Sequence, residues 1–334
     1  MTRLRSQSGF SLLELLVATA LLLLVSSIVT NALLQMTHAQ TTIWNRTEMH
    51  SGIRGATELL QQEVGQAGRI SLPGTVTLSQ PVHAVGGGAP EASTACDPGT
   101  PTLHAAVVQV SSVAGMFAQG GATPSYILLT TLDGNAAESI RVASIDAAAS
   151  PPTITACFSN PHAAGAVIAP MGGFATGIIP PTGMLNGSTD TKLKMYGDIN
   201  GDGNMVFVEY TCDTTNHYLY RNVMAFDAGS KPAVTNSQIL LSNIVDNPGG
   251  TACFTYQTTS MTVQGTLFTF VLDVAVTLTV QTQQIDPITR THQKETKALL
   301  NVSPRNVFNA WMLASIGYTD RIQSTPTTIA ALLP

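Results

Sequence analysis

An apolar segment near the amino terminus restricts the folds open to this chain more than any other feature. Residues 10–34 read FSLLELLVATALLLLVSSIVTNALL, and Glu14 is the only charged residue between Arg5 and Arg46. About 20 apolar residues are enough for a helix to cross a bilayer. Because Arg3 and Arg5 precede the segment, we expect the amino terminus to stay in the cytoplasm and the rest to be exported.

A cleaved secretory signal and a plain membrane anchor are the simpler interpretations of this segment. The apolar core of a secretory signal usually has about 7 to 15 residues. This segment is longer, and no A-x-A cleavage site closes it. A plain anchor leaves Glu14 unexplained, because a carboxylate within a membrane span costs about 3 kcal/mol on insertion scales. Glu14 is therefore a candidate functional residue.

The residues around this carboxylate resemble the cleavage and assembly signal of type IV prepilins, Gly9-Phe10-Ser11-Leu12-Leu13-Glu14. That family comprises the major and minor pilins of type IV pili and the pseudopilins of type II secretion. The resemblance implies that a prepilin peptidase cuts after Gly9 and that the new amino group of Phe10 is methylated. It also implies that Glu14 meets the first amino group of a neighbouring subunit, since the two charges are tolerated as a pair in an apolar bundle.

The helix is predicted to continue beyond the membrane segment and to pack on a folded domain. Apolar residues recur there at spacings of three and four, which is typical of one helix face: Met49, Ile53, Ala56, Leu60, Val64, Ala67 and Ile70. We predict an α+β, type IV pilin-like fold with a large antiparallel β-rich domain. Its predicted parts are a leader (1–9), an assembly helix (10–35), an amphipathic continuation (36–72), a β-rich domain (73–306) and a tail (307–334).

Alternating and β-branched runs predict the strands of this domain. They are residues 106–113, 126–131, 139–145, 153–158, 205–212, 218–223, 267–281 and 296–302. Residues 71–103 and 160–190 contain many glycines and prolines, so we expect surface loops there, with one short strand at 75–78. For the tail we expect a short packed helix over 306–316 or a contact for another subunit.

The second half of the domain is similar to PilW-like minor pilins and to the J-type minor pseudopilin. The likeness is carried by Val208-Glu209-Tyr210, by Leu219-Tyr220-Arg221-Asn222, and by a hairpin that ends near Pro304-Arg305-Asn306. It implies a structural subunit, not an enzyme, that waits in the bacterial inner membrane with a periplasmic domain. Its implied partners are other pilins, minor pilins and the pilus assembly platform, and its destination is the pilus filament or tip.

Two other functions stay open at this point. A minor pseudopilin of a type II secretion system would use the same anchor and a similar sheet. An adhesive or DNA-uptake pilin would contact its ligand through the loops at 75–103 and 160–190. The net charge of −5 provides no broad attraction to nucleic acid. The seven scattered histidines form no recognisable catalytic set, so we expect no enzymatic activity.

The four cysteines are expected to form disulfides, because the exported part of the chain would lie in an oxidising compartment. They are Cys96, Cys157, Cys212 and Cys253, without a C-x-x-C motif. Of the three possible connectivities, sequential pairing of Cys96 with Cys157 and Cys212 with Cys253 closes the shorter loops. Four buried thiols are the alternative.

One segment, residues 198–209, matches the calcium-loop pattern D-x-[DN]-x-[DN]-G-x5-E in full. Asp198, Asn200 and Asp202 would supply side-chain oxygens, Asn204 its backbone carbonyl, and Glu209 a bidentate carboxylate. Residues 205–210 read as a strand, however, and if residues 205–209 are extended, Glu209 points away from the loop. A structural calcium ion is the only cofactor predicted, and a polar turn is the alternative interpretation.

Overall fold

The protein is described from a computed structural model, which covers residues 9, 11–82, 91–95, 104–117, 127–134, 137–263 and 265–334. The chain divides into two compact units. The first comprises Met1–Gly52 and Gln281–Glu295, and the second comprises Ile53–Val280 and Thr296–Pro334.

A single helix, α1, runs from Leu12 to Gln66 without interruption. Its 55 residues give a length of about 80 Å at 1.5 Å per residue. The predicted continuous helix is therefore confirmed, although it ends four residues before Ile70. The chain leaves the helix at Gly68, whose φ of +80° is unfavourable for residues with a side chain. The Gly68 amide donates to the carbonyl of Tyr196, 2.9 Å away, and so joins the helix end to a strand.

In the first unit, the other described residues contact α1 only in the turns after residue 40. Residues 11–40 are exposed, and no described residue of the chain covers them. The segment 281–295 contacts the next turns, where Arg46 donates to Gln293 and His50 pairs with Glu295. Four threonine hydroxyls along this stretch donate to the carbonyl four residues earlier, those of Thr37, Thr41, Thr42 and Thr47.

The largest sheet of the second unit is antiparallel and has the strand order β1-β7-β4-β5-β6-β3-β2. Its strands are β1 (Val76–Thr77), β2 (Glu91–Ala95), β3 (His104–Gln109), β4 (Leu128–Thr131), β5 (Ser139–Asp146), β6 (Thr153–Phe158) and β7 (Val167–Pro170). One face covers the main core, which includes Leu129, Ile140 and Ile154.

Two further antiparallel sheets lie in the β domain. The first has the order β12-β11-β10-β9, with β9 (Lys192–Gly197), β10 (Val206–Asp213), β11 (Tyr218–Ala225) and β12 (Ile239–Ser242). The second contains β13 (Ile244–Val245), β14 (Phe254–Val263), β15 (Thr266–Gln281) and β16 (Lys294–Val302), with β15 paired to the other three. The α+β pilin-like class is confirmed, because a long apolar helix precedes a large antiparallel β-rich domain.

The tail packs into the same core. Helix α2 (Arg305–Ser315) agrees with the helix predicted at 306–316, and β17 (Ile322–Gln323) pairs in parallel with β8 (Gly173–Phe174). A short helix, α3 (Thr327–Ala330), then brings Leu332 and Leu333 into the interior. Lys194 donates from its buried ammonium to the carbonyl of Leu333 and holds this segment.

The prediction of a surface loop over residues 160–190 is wrong for residues 166–180, whereas residues 181–190 form no helix or strand and are mostly exposed. The segment contains β7 and β8, and residues 173–180 are buried. Its glycines permit close packing here: a Cβ on Gly177 would lie 2.2 Å from Cα of Gly68, and one on Gly172 would lie 1.6 Å from the carbonyl oxygen of Arg321. These glycines therefore mark contacts between backbones and not a flexible loop.

Candidate assembly site and calcium loop

The amino-terminal turn presents the residues of the processing motif to the surroundings. Gly9 is exposed, whereas Phe10 lies outside the described residues. Ser11 caps α1, because its hydroxyl accepts a hydrogen bond from the backbone amide of Glu14 at 3.2 Å. This cap is a second role of the motif that the sequence analysis did not identify, although Ser11 and Glu14 have the spacing of a capping box.

Glu14 lies in the first turn of α1 and is exposed, as are its apolar neighbours. The helix is long and apolar enough to cross a membrane by length and composition. A carboxylate at this end interacts favourably with the positive pole of the helix dipole. In lipid or in a helix bundle it would still need a cation, and an ammonium group of another chain could supply one.

At the other end of α1, a buried carboxylate binds the helix to the β domain. Glu63 accepts two hydrogen bonds from Nε of Arg221, at 3.0 and 3.1 Å, and one each from Nη2 of Arg221 and the hydroxyl of Tyr210. The Glu63 side chain is 4% exposed and that of Arg221 is 25% exposed. Both partners come from neighbouring strands, since Tyr210 and Arg221 are paired across β10 and β11.

The electrostatics of this cluster follow from its burial. Burial raises the pKa of Tyr210, and the charge of Glu63 raises it further. Burial by itself would lower the pKa of Arg221, but the hydrogen bond and charge of Glu63 outweigh that effect and raise it. The cluster therefore keeps a neutral phenol and a charged guanidinium around one carboxylate. Such a geometry stabilises the junction of helix and sheet and provides no reactive group.

The structure does not bring the five predicted calcium ligands together. Glu209 lies within β10, where its carboxylate is 2.7 Å from Nζ of Lys231, 3.7 Å from Nζ of Lys194 and 3.8 Å from Nζ of Lys192. Burial lowers the pKa of Lys194, and the charge of Glu209 opposes this effect. The assignment of Glu209 as a ligand is therefore corrected, because the strand directs its side chain into a lysine cluster.

The other four residues stay together in the loop between β9 and β10. Asp198 is fully buried, whereas Asn200, Asp202 and Asn204 are exposed. Oδ1 of Asp198 accepts from the Gly203 amide at 3.3 Å, and Oδ1 of Asp202 accepts from the Asn204 amide at 2.9 Å. Across the described residues, no three His, Cys, Asp or Glu side chains form a metal-binding group.

A disulfide between two of the predicted cysteines lies within the described residues. Cys212 at the end of β10 is bonded to Cys253 next to β14, with 6.5 Å between their Cα atoms. The bond joins the sheet of β9 to β12 to the sheet of β13 to β16. The other predicted pair includes Cys96, which lies outside the described residues, so Cys96–Cys157 stays a prediction.

A buried histidine that sequence reasoning did not single out holds two loops together. His162 has no exposed side-chain surface; its Nδ1 lies 2.6 Å from Oδ2 of Asp133 and its Nε2 lies 2.8 Å from Oε1 of Glu138. Glu138 also accepts from the amides of Ser159 and Asn160. The carboxylates are 24 and 29 residues away in sequence, so no local pattern reveals the cluster.

An exposed apolar helix that ends on an antiparallel β domain defines the pilin-like class of proteins. The family model of the prokaryotic N-terminal methylation motif matches residues 4–30, which include Gly9, Phe10 and Glu14. No curated protein and no solved structure matches the chain. The motif supports a type IV prepilin-like protein, and it implies processing by a peptidase and interaction with other pilins.

Proposed function

We propose that this protein is a minor pilin-like structural subunit that takes part in type IV pilus assembly, in the initiation or tip complex. The observation that carries the proposal is the exposed apolar helix with one carboxylate in its first turn. Residues 11–40 have no covering partner among the described parts of the chain. Lipid before assembly and the helices of other subunits afterwards would bury this surface.

The proposed sequence of events assigns a role to each residue of the motif. The peptidase removes residues 1–9, and Phe10 becomes the methylated amino terminus. The helix holds the subunit in the inner membrane, with the β domain in the periplasm, until the assembly platform delivers it to the filament. Glu14 then pairs with the terminal amine of a neighbour, which lowers the cost of burying both charges.

Substitution of Glu14 tests this role. We expect Glu14→Ala to leave membrane insertion intact, since it removes a charge from an apolar helix. Incorporation into filaments should fall strongly, as measured by immunoblotting of sheared filaments against the membrane fraction. Glu58→Ala is the matched control, because Glu58 is an exposed carboxylate on the same helix, paired with Arg54. Wild-type amounts of the Glu14→Ala protein in filaments would contradict the proposal.

Mass spectrometry of the mature chain tests the processing step separately. The expected amino-terminal peptide begins at Phe10 and carries one methyl group on its amine. A chain that begins at Met1 in cells with assembled filaments would show that the motif is not used.

A minor pseudopilin of type II secretion is the alternative that the same motif allows. A deletion strain separates the two, with filament number and the secretion of extracellular enzymes measured in parallel. Loss of secretion with a normal number of pili would favour the pseudopilin. The adhesive or DNA-uptake alternative depended on two exposed loops, and it is weakened because residues 173–180 of the second are buried.

A further inference from the structure

The loop between β9 and β10 contains a buried carboxylate that pilus assembly does not explain. Asp198 has no exposed surface, and none of the described residues donates a hydrogen bond to its Oδ2. A buried charge is costly unless it is paired and fully hydrogen-bonded. Oδ1 of the same carboxylate accepts from the Gly203 amide, so the group is held against the loop.

The nearest cation compensates this carboxylate incompletely. Nε of Arg69 lies 3.5 Å from Oδ2 of Asp198, beyond normal hydrogen-bond length, and the Arg69 side chain is 46% exposed. A half-exposed guanidinium is hydrated and screened, which weakens its attraction for a buried charge. The negative charge of Asp198 is therefore only partly neutralised, and a second cation that binds the carboxylate directly would stabilise it.

We propose that this loop binds one calcium ion through the side chains of Asp198, Asn200 and Asp202 and the backbone carbonyl of Asn204. All of these donors are oxygens, the ligand type that calcium prefers, and water would complete the six to eight positions. Structural zinc sites are built from cysteine and histidine donors, which the loop does not offer.

The corrected position of Glu209 changes the expected strength of binding. Glu209 would have supplied two oxygens and a third carboxylate. It lies in β10, however, where its carboxylate is paired with Lys194 and Lys231. With two carboxylates, the loop falls among weak extracellular calcium modules, whose dissociation constants are about 10⁻⁴ to 10⁻³ M. Magnesium should bind more weakly still, because it demands a near-ideal octahedron and keeps its water.

The site lies where the chain leaves the long helix. The Asp198 amide donates to the carbonyl of Arg69 at 2.9 Å. A Cβ on Gly203 would lie 3.7 Å from Cα of Pro73 and 3.8 Å from the hydroxyl oxygen of Ser71. Calcium bound here would therefore fix the segment 68–73 against the β9–β10 loop and stabilise the end of the helix.

Calcium titration of the full-length protein in detergent tests the proposal, by calorimetry and by thermal unfolding with calcium or EDTA. The wild type should bind one ion and unfold at a higher temperature with calcium. Asp202→Asn should weaken the affinity at least about tenfold, the effect of roughly 1.4 kcal/mol. Arg69→Gln should strengthen it, because the competing positive charge is removed.

Two control substitutions show whether calcium affinity depends on this ligand set alone. Asp213→Asn is matched to Asp202→Asn, since Asp213 also accepts backbone hydrogen bonds in a hairpin turn, from Thr215 and Asn216. It should leave calcium affinity unchanged. Glu209→Gln should also leave the affinity unchanged. Loss of calcium binding by this variant would show that Glu209 is a ligand and would contradict the proposed set of four residues.

Two results would overturn the proposal. One is the absence of binding by the wild type at millimolar calcium, and the other is undiminished binding by Asp202→Asn. If Asp202→Asn does not fold, Asn200→Ala at an exposed position gives the same readout. None of these outcomes bears on pilus assembly, so failure here is distinct from failure of the assembly role.

Discussion

Removal of the Glu63 carboxylate is the most informative test of how the helix is held on the β domain. Glu63→Gln keeps the size of the side chain and removes the charge that Arg221 and Tyr210 surround. Loss of one partner of a buried ion pair costs about 3 to 5 kcal/mol. Because Arg221 keeps a quarter of its surface exposed, we expect the lower limit, about 3 kcal/mol.

This loss of stability can be measured by thermal unfolding of the full-length chain in detergent. For a domain of this size, 1 kcal/mol corresponds to roughly 2 °C, so the midpoint should fall by about 6 °C. Glu58→Gln is the control on the same helix, where an exposed pair with Arg54 contributes little. The double variant Glu63→Leu with Arg221→Leu should regain most of the stability, because no charge is then left without a partner.

The reasoning would be refuted by a Glu63→Gln variant that unfolds at the temperature of Glu58→Gln. It would also fail if the double variant were less stable than Glu63→Gln alone. The first result would mean that water compensates the charge of Arg221 when the carboxylate is lost. The second result would mean that the packing of these two side chains contributes more to stability than their charges do.

Three further substitutions probe other contacts by the same unfolding assay. Gly68→Ala should destabilise the protein by at least about 1 kcal/mol, because the residue has a positive φ and its Cβ would lie 2.9 Å from a Val307 methyl group. Gly74→Ala is the control: Gly74 also has a positive φ but lies in open space, so this variant measures the backbone strain without the steric clash. His162→Ala should cost about 3 kcal/mol or more, since two carboxylates lose their shared partner. Leu332→Ala should cost about 2 to 5 kcal/mol if the tail belongs to the core. Unchanged unfolding would contradict the contact in each case.

The sequence predicted those features that arise from short-range patterns. The apolar run and the spacing of the following residues predicted α1, and strict alternation predicted β15 within one residue at its start. The runs at 205–212 and 218–223 predicted β10 and β11, which pair with each other in the structure. Each of these depends on residues near one another in the chain, so one sequence is sufficient.

The features that the sequence did not predict depend on contacts between distant residues. Glu63 and Arg221 are 158 residues apart, and nothing near either one indicates a buried pair. Residues 166–180 were misassigned because glycine permits both flexible loops and close backbone contacts. The calcium pattern located a loop with a buried Asp198, and the strand predicted after it already counted against Glu209 as a ligand; neither pattern revealed the lysines that pair with Glu209.

The threonine hydroxyls along α1 have a mechanical consequence. The hydroxyls of Thr37, Thr41, Thr42 and Thr47 share backbone carbonyls with the helical amides, and this arrangement weakens and bends helices. No neighbouring element among the described residues stiffens residues 37–40, since they are exposed. We therefore expect bending under load to concentrate at residues 37–40, before the turns that the segment 281–295 contacts.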